Sequence, residues 1–146
     1  GRIIIDLNNR DYADDVRSGA WFEGAIAERL QELAPNAKVV KALNTIAMET
    51  FDTSASALRE AGAQSFIAGS SKEAKGVVAD LLHDLGFEAV DMGDTSAAMR
   101  AAEALGDVIR LLMIDGGYGG RAALSLSKLP KPDMALVGAR ESSNYK

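Results

Sequence analysis

Cysteine is absent from this sequence, and histidine occurs once, as His83. The first absence excludes disulfides and thiol catalysis and fits a reducing, cytoplasmic setting. Together the two make an ordinary zinc site improbable, because such sites draw on Cys and His. A Ser-His-Asp or Cys-His site could be built only around His83. That residue falls on a helix face opposite the apolar stripe, beside Asp84, where a solvated surface role is expected. Basic clusters are also missing. Lys and Arg number 16 against 21 Asp and Glu, a net charge of −5, so no duplex-binding surface is expected. No apolar run approaches bilayer length and no signal peptide stands at the start, which argues against a membrane partner. Internal repeats and low-complexity segments are absent too.

What is present fills one domain with a sizeable core, since 146 residues are too few for two ordinary ones. Arg2–Leu7 reads as a strand ended by Asn8 and Asn9. Its three consecutive isoleucines predict burial on both faces, with neighbours on both sides. Ala20–Ala34 places Phe22, Ile26, Leu30 and Leu33 on one helical face and stops before Pro35. A second strand, Lys38–Leu43, follows. A helix between two such strands predicts parallel pairing with a right-handed crossover. Ala55–Ala61 reads as a short helix closed by Gly62, and Gln64–Ala68 as a third strand. Ser70 and Glu73 match a capping box. The helix it opens carries Ala74, Val77, Val78, Leu81, Leu82 and Leu85 at helical spacing and ends at Gly86. Phe87–Asp91 reads as a fourth strand. Ser96–Met113 reads as a last helix burying Ala98, Ala102, Leu105, Ile109 and Leu112. The remainder, 114–146, reads as an irregular tail.

The stretch that organises the chain is Lys38 to Thr50. Its strand is almost wholly apolar and stops abruptly at Asn44 and Thr45. Parallel α/β sheets bind ligands beyond the carboxyl ends of their strands, and the first strand has a similar polar end at Asn8 and Asn9. Lys41 interrupts the apolar run, and a buried ammonium needs a partner. Asp6 on the neighbouring strand is one candidate, so a structural ion pair is the expectation. In the tail, Gly117 to Ala122 fits GxGxxA, with Met134–Val137 and Arg140 imitating the next strand and its cationic end. That fingerprint requires residues 109–114 to be a strand. The helical pattern runs straight through them, so a glycine turn is preferred.

The succession strand-DLNN, VVKALNTI, FIAGSSKEAK and DLGFEAVDMG resembles the second half of the NADP oxidoreductases of the deazaflavin-coenzyme-dependent type. It is similar also to the cytosolic reductase domain of the six-transmembrane metalloreductases. The resemblance covers residues 1–113 and implies the C-terminal half of a Rossmann-like, mainly parallel α/β sheet flanked by helices. It implies NADP and a deazaflavin or flavin as cofactors, with hydride passing between them. Carried over residue by residue, Asn8 and Asn9 match the polar strand end leading past the cofactor. Asn44, Thr45 and Ile46 match the loop against the nicotinamide, with Ala47 and Met48 just beyond it, and Ala42 and Met48 are counted among the cofactor-binding residues; Asp91, Met92 and Gly93 match a loop near the second cofactor. Leu43 stands where many members have Phe, and Met48 where some have Ala.

The family's GxGxxG turn does not precede Gly1, so the chain reads as a partial one. Two rival readings follow. One is a truncated, non-catalytic module that pairs with itself or another protein through an open sheet edge; on either reading a homo-oligomer or pairing with the missing N-terminal half is expected. The other makes the tail fingerprint a real phosphate site. On the main reading Asn44–Met48 should line a pocket with Asn8 or Asn9 in reach.

Overall fold

Two strand–helix–strand units build the molecule, a computed structural model that describes residues 1–131. In the first, β1 (Ile3–Asp6) and β2 (Lys38–Lys41) flank α1 (Ile26–Leu33). β1 and β2 pair in parallel, Ile4 opposite Val39 and Asp6 opposite Lys41. A short helix α2 (Ala55–Glu60) leads to the second unit, in which β3 (Gln64–Ile67) and β4 (Glu88–Asp91) flank α3 (Lys72–Leu85). These strands are also parallel. An antiparallel bridge between Lys41 and Ala68 joins the two pairs, so the second pair runs opposite to the first. Helix α4 (Ser96–Met113) closes the fold against α1 and β2. The α/β architecture of short parallel sheets flanked by helices is the one expected. No helix of the described residues is long and apolar enough to cross a membrane.

Each strand is four residues long, so each helix seals it along a narrow line. On α3 that line is Ala74, Val78 and Leu82, which pack with Val40, Leu43, Leu58, Ile67 and Phe87. A second cluster sets Ala98, Met99 and Ala102 of α4 against Ala25, Ala27, Val39 and Ala68. Gly86 ends α3 in the left-handed conformation, φ +98°, and its backbone lies hard against Ala55.

Several details differ from the sequence reading. The first helix begins at Ile26 rather than Ala20, and a π-helical turn, Tyr12–Arg17, precedes it. Phe22 lies under the Arg10 guanidinium at 4.5 Å instead of on a helix face. Leu33 is exposed. Ser71, not Ser70, caps α3, accepting from the Ala74 amide. With Ser71 as the cap, Glu73 falls one position too early to close a capping box, and its carboxylate instead meets the Lys38 ammonium at 2.6 Å. Val77, Leu81, Leu85 and Leu112 remain exposed and Leu105 half-buried, because one narrow sheet covers only part of a wide apolar stripe. The β1 isoleucines are half-buried rather than enclosed: among the described residues β1 pairs on one side only.

Residues 109–113 are helical, which removes the strand the tail fingerprint needs; Met134–Val137 and Arg140 lie outside the described residues. Gly117 and Gly119 take positive φ in the turn that follows α4. Further on, the Leu126 amide donates to the Gln64 side chain at 2.7 Å and ties the extended segment to β3.

Candidate functional site

Parallel pairing brings the ends of β1 and β2 together. The Asn9 side-chain amide donates to the Asn44 carbonyl at 2.8 Å, and the Asn44 amide group reaches Asn9 Oδ1 at 3.4 Å. It also donates to the Ala102 carbonyl of α4 at 2.9 Å, while Asn44 Oδ1 has no partner among the described residues. The backbone between β2 and Asn44 is strained. Leu43 adopts φ +60°, a conformation that costs a leucine on the order of 1 kcal/mol or more. The Ser65 hydroxyl accepts from the Leu43 amide at 3.0 Å and holds it there. A tight turn closes from Leu43 to Ile46, and a 3-10 turn, Met48–Asp52, follows.

The predicted site residues divide by exposure. Ala42, Asn44 and Thr45 are buried and form the back of the loop. Asn9, Ile46 and Ala47 are half-buried. Asn8 and Met48 face solvent, Met48 with 84% of its surface exposed. Asp91 and Gly93 make a separate turn, in which Asp91 Oδ1 accepts from Lys75 and from the Gly93 amide. Met92 packs with Val39 and Ala98, whereas Ile46 packs with the Val40–Leu43 cluster. Because the second strand pair runs opposite to the first, the Asp91–Gly93 turn leaves β4 at the end of the sheet away from Asn44. His83 stays on the surface, its side chain 76% exposed beside Asp84.

Helix α4 supplies residues that the sequence reading passed over. Asp107 accepts from Arg10 at 2.8 Å and from Arg110 at 3.1 Å, and Arg110 also donates to the Arg10 carbonyl. This network fastens the segment after Asn9 to the helix. Gly106 faces the asparagine pair; a Cβ there would collide with Asn9 Oδ1 and lie 2.8 Å from Asn44 Nδ2. Glu103 is fully buried, and burial raises its carboxyl above the ordinary range, although Lys41 and the Ile26 amide pull the other way. The available signal was Glu103, Gly106, Asp107 and Arg110 at three- and four-residue spacing along an otherwise apolar stripe.

Lys41 meets the expected partner. Its ammonium lies 2.9 Å from Asp6 Oδ2, with both side chains wholly buried. Glu28 and Asp91 are partly desolvated, which pushes their carboxyls up. Arg100 and the Ala25 amide at Glu28, and Lys75 and the Gly93 amide at Asp91, outweigh that and hold both low.

The fold and its polar strand ends define a Rossmann-like α/β half-sheet. No family model matches the chain. It is similar in structure to a candidate F420-dependent NADP-reductase from Arthrobacter sp. FB24, with 27% identity over 88% of this chain and a TM-score of 0.69. It is similar also to a hypothetical protein from Sinorhizobium meliloti, with 31% identity over 66% of this chain and a TM-score of 0.53. The chain spans 59% of the first protein's length and 47% of the second's. The likeness agrees with the resemblance read from the sequence.

Proposed function

We propose that residues 1–113 are a partial NADP-binding domain of an oxidoreductase, with the ends of β1 and β2 against the nicotinamide. The observation that carries this reading is the Asn9–Asn44 bond at the carboxyl ends of two parallel strands, the position where such sheets take ligands. The Arthrobacter protein, described as a candidate F420-dependent NADP-reductase, supports the chemistry. In this reading Asn8, Asn9, Ile46 and Met48 supply the contact face. Ala42, Asn44 and Thr45 give that face its shape from behind.

When bound, the reduced nicotinamide would supply a hydride to a deazaflavin or flavin acceptor. No protein acid or base is needed at the reacting carbon. The loop's task is orientation and exclusion of water, which suits amide, hydroxyl and apolar side chains on a rigid turn. A cytoplasmic setting belongs to the same reading.

The test is an NMR titration of the chain with NADPH. A few neutral hydrogen bonds contribute on the order of 1 kcal/mol each, and immobilising the ligand costs several. A dissociation constant of roughly millimolar is therefore expected, with shifts centred on Asn8, Asn9 and Ile46–Met48. Shifts absent from those residues would overturn the reading.

The second reading is a non-catalytic module that associates through an open edge. It is favoured by β1, which carries half-buried isoleucines and pairs on one side only among the described residues. Sedimentation of the chain at increasing concentration separates the two: association that blocks NADPH shifts would favour the module.

A further inference from the structure

A charged cluster lies next to the asparagine pair, closed off from water. Lys41, Asp6 and Glu103 have side chains that are 0% exposed. An ammonium has three N–H groups, and three acceptors meet this one. They are Asp6 Oδ2 at 2.9 Å, Glu103 Oε2 at 3.4 Å, and the Asn8 carbonyl. Lys41 donates to Asp6 and to the Asn8 carbonyl, and Glu103 completes the set as an ion-pair partner.

The same cluster grips the site loop. Asp6 Oδ1 accepts from the Asn8 backbone amide at 3.0 Å and from its side-chain amide at 2.7 Å. Asn8 is thus held at three atoms, its carbonyl by Lys41 and both its amides by Asp6. Glu103 Oε2 also accepts from the Ile26 amide at 2.8 Å, tying the start of α1 to α4.

Two chain neighbours carry the constraint onward. Asn8 belongs to the cluster, and the next residue, Asn9, binds the Asn44 carbonyl. Glu103 belongs to the cluster, and the preceding residue, Ala102, accepts from the Asn44 side chain. Both sides of the asparagine pair are therefore anchored one residue away from Lys41's partners.

We propose that Lys41 is a positioning residue: it locks the Asn8–Asn9 loop and α4 onto the end of β2, so that Asn9, Asn44 and the Thr45–Met48 loop hold one geometry. The consequence for cofactor binding rests on the nicotinamide reading above; the consequence for loop order does not. A buried ion pair adds little net stability relative to apolar packing, so its effect lies in which arrangement is adopted.

The experiment compares wild type, K41M, and the triple variant D6N/K41M/E103Q, which removes the charges together and leaves no buried ion unpaired. G86A, which strains the far end of α3, serves as the control for lost stability. Amide hydrogen exchange is read at residues 8–10 and 44–48, and NADPH binding by NMR titration. Exchange at 8–10 at least tenfold faster in the folded triple variant, with NADPH binding at least fivefold weaker, is the expected result. G86A should melt lower without either change. A folded triple variant with wild-type exchange at 8–10 overturns the proposal even if K41M fails to fold. If wild type shows no NADPH shifts, the nicotinamide reading fails, and the exchange data alone decide the role of Lys41.

Discussion

Asn9 and Asn44, 35 residues apart in sequence, are joined by a 2.8 Å hydrogen bond from the Asn9 side chain to the Asn44 backbone carbonyl. Each residue stands three positions beyond the end of its strand, Asp6 or Lys41, and α4 closes over them from one side. Truncation by N9A leaves that carbonyl of a buried residue without its donor. The expected loss is about 1–2 kcal/mol, checked by urea denaturation. A loss within error of zero would mean that water replaces the bond freely.

Gly106 sets two effects against each other. Alanine is favoured over glycine inside a helix by about 1 kcal/mol. Against this, a Cβ at Gly106 meets Asn9 Oδ1, which accepts from the Asn44 side chain, and Asn44 Nδ2, which donates to the Ala102 carbonyl. Overpacking of that kind typically costs about 1–3 kcal/mol, so G106A should be destabilising in net. The same melt, supplemented by exchange at the Asn9 side chain, distinguishes a displaced asparagine from a shifted helix. A more stable G106A protein would show that the contact is soft.

At Gly86 the two terms have the same sign. Its φ of +98° disfavours any side chain, and a Cβ would lie 2.5 Å from the Ala55 carbonyl oxygen. That neighbour is backbone and cannot rotate away. G86A should therefore cost more than the ~1 kcal/mol of a left-handed alanine alone. Chemical denaturation with an unchanged m-value is the expected record.

Glu103 predicts a pH dependence. Burial raises its carboxyl in the folded protein, with Lys41 and the Ile26 amide opposing. The folded state therefore holds the proton more tightly than the unfolded chain. That contribution to stability is complete below the unfolded value and is lost as pH rises through the folded one. E103Q keeps an acceptor and a donor but cannot ionise. Its stability relative to wild type should rise with pH across the window above the ordinary carboxylate range. Parallel stability–pH curves for the two proteins would refute the argument.

Much of the site was legible locally. An apolar strand that ends in Asn-Thr, another that ends in Asn-Asn, and a lysine needing a carboxylate are patterns within ten residues. They led directly to the parallel β1–β2 pairing and to the Asp6–Lys41 ion pair. Glu103, Gly106 and Asp107 were not read as site residues, because on a helical wheel they interrupt a stripe without indicating what they face. The over-long first helix has a similar cause: Phe22 fits the helical spacing, but Arg10 offered its ring a cation.

What the sequence determined by itself was the order of strands and helices, and which strand ends are polar. Those depend on contacts between near neighbours, whose spacing is fixed by the period of a helix or strand. What tertiary structure alone decided was the company each face keeps. The second strand pair is reversed against the first through Lys41 and Ala68. The Asp91–Gly93 turn is packed apart from Asn44, and α4 presents Glu103 to Lys41 across 3.4 Å. A buried charge must find a partner, but the partner lies wherever the chain's long-range packing leaves room. No periodicity in the sequence encodes that distance.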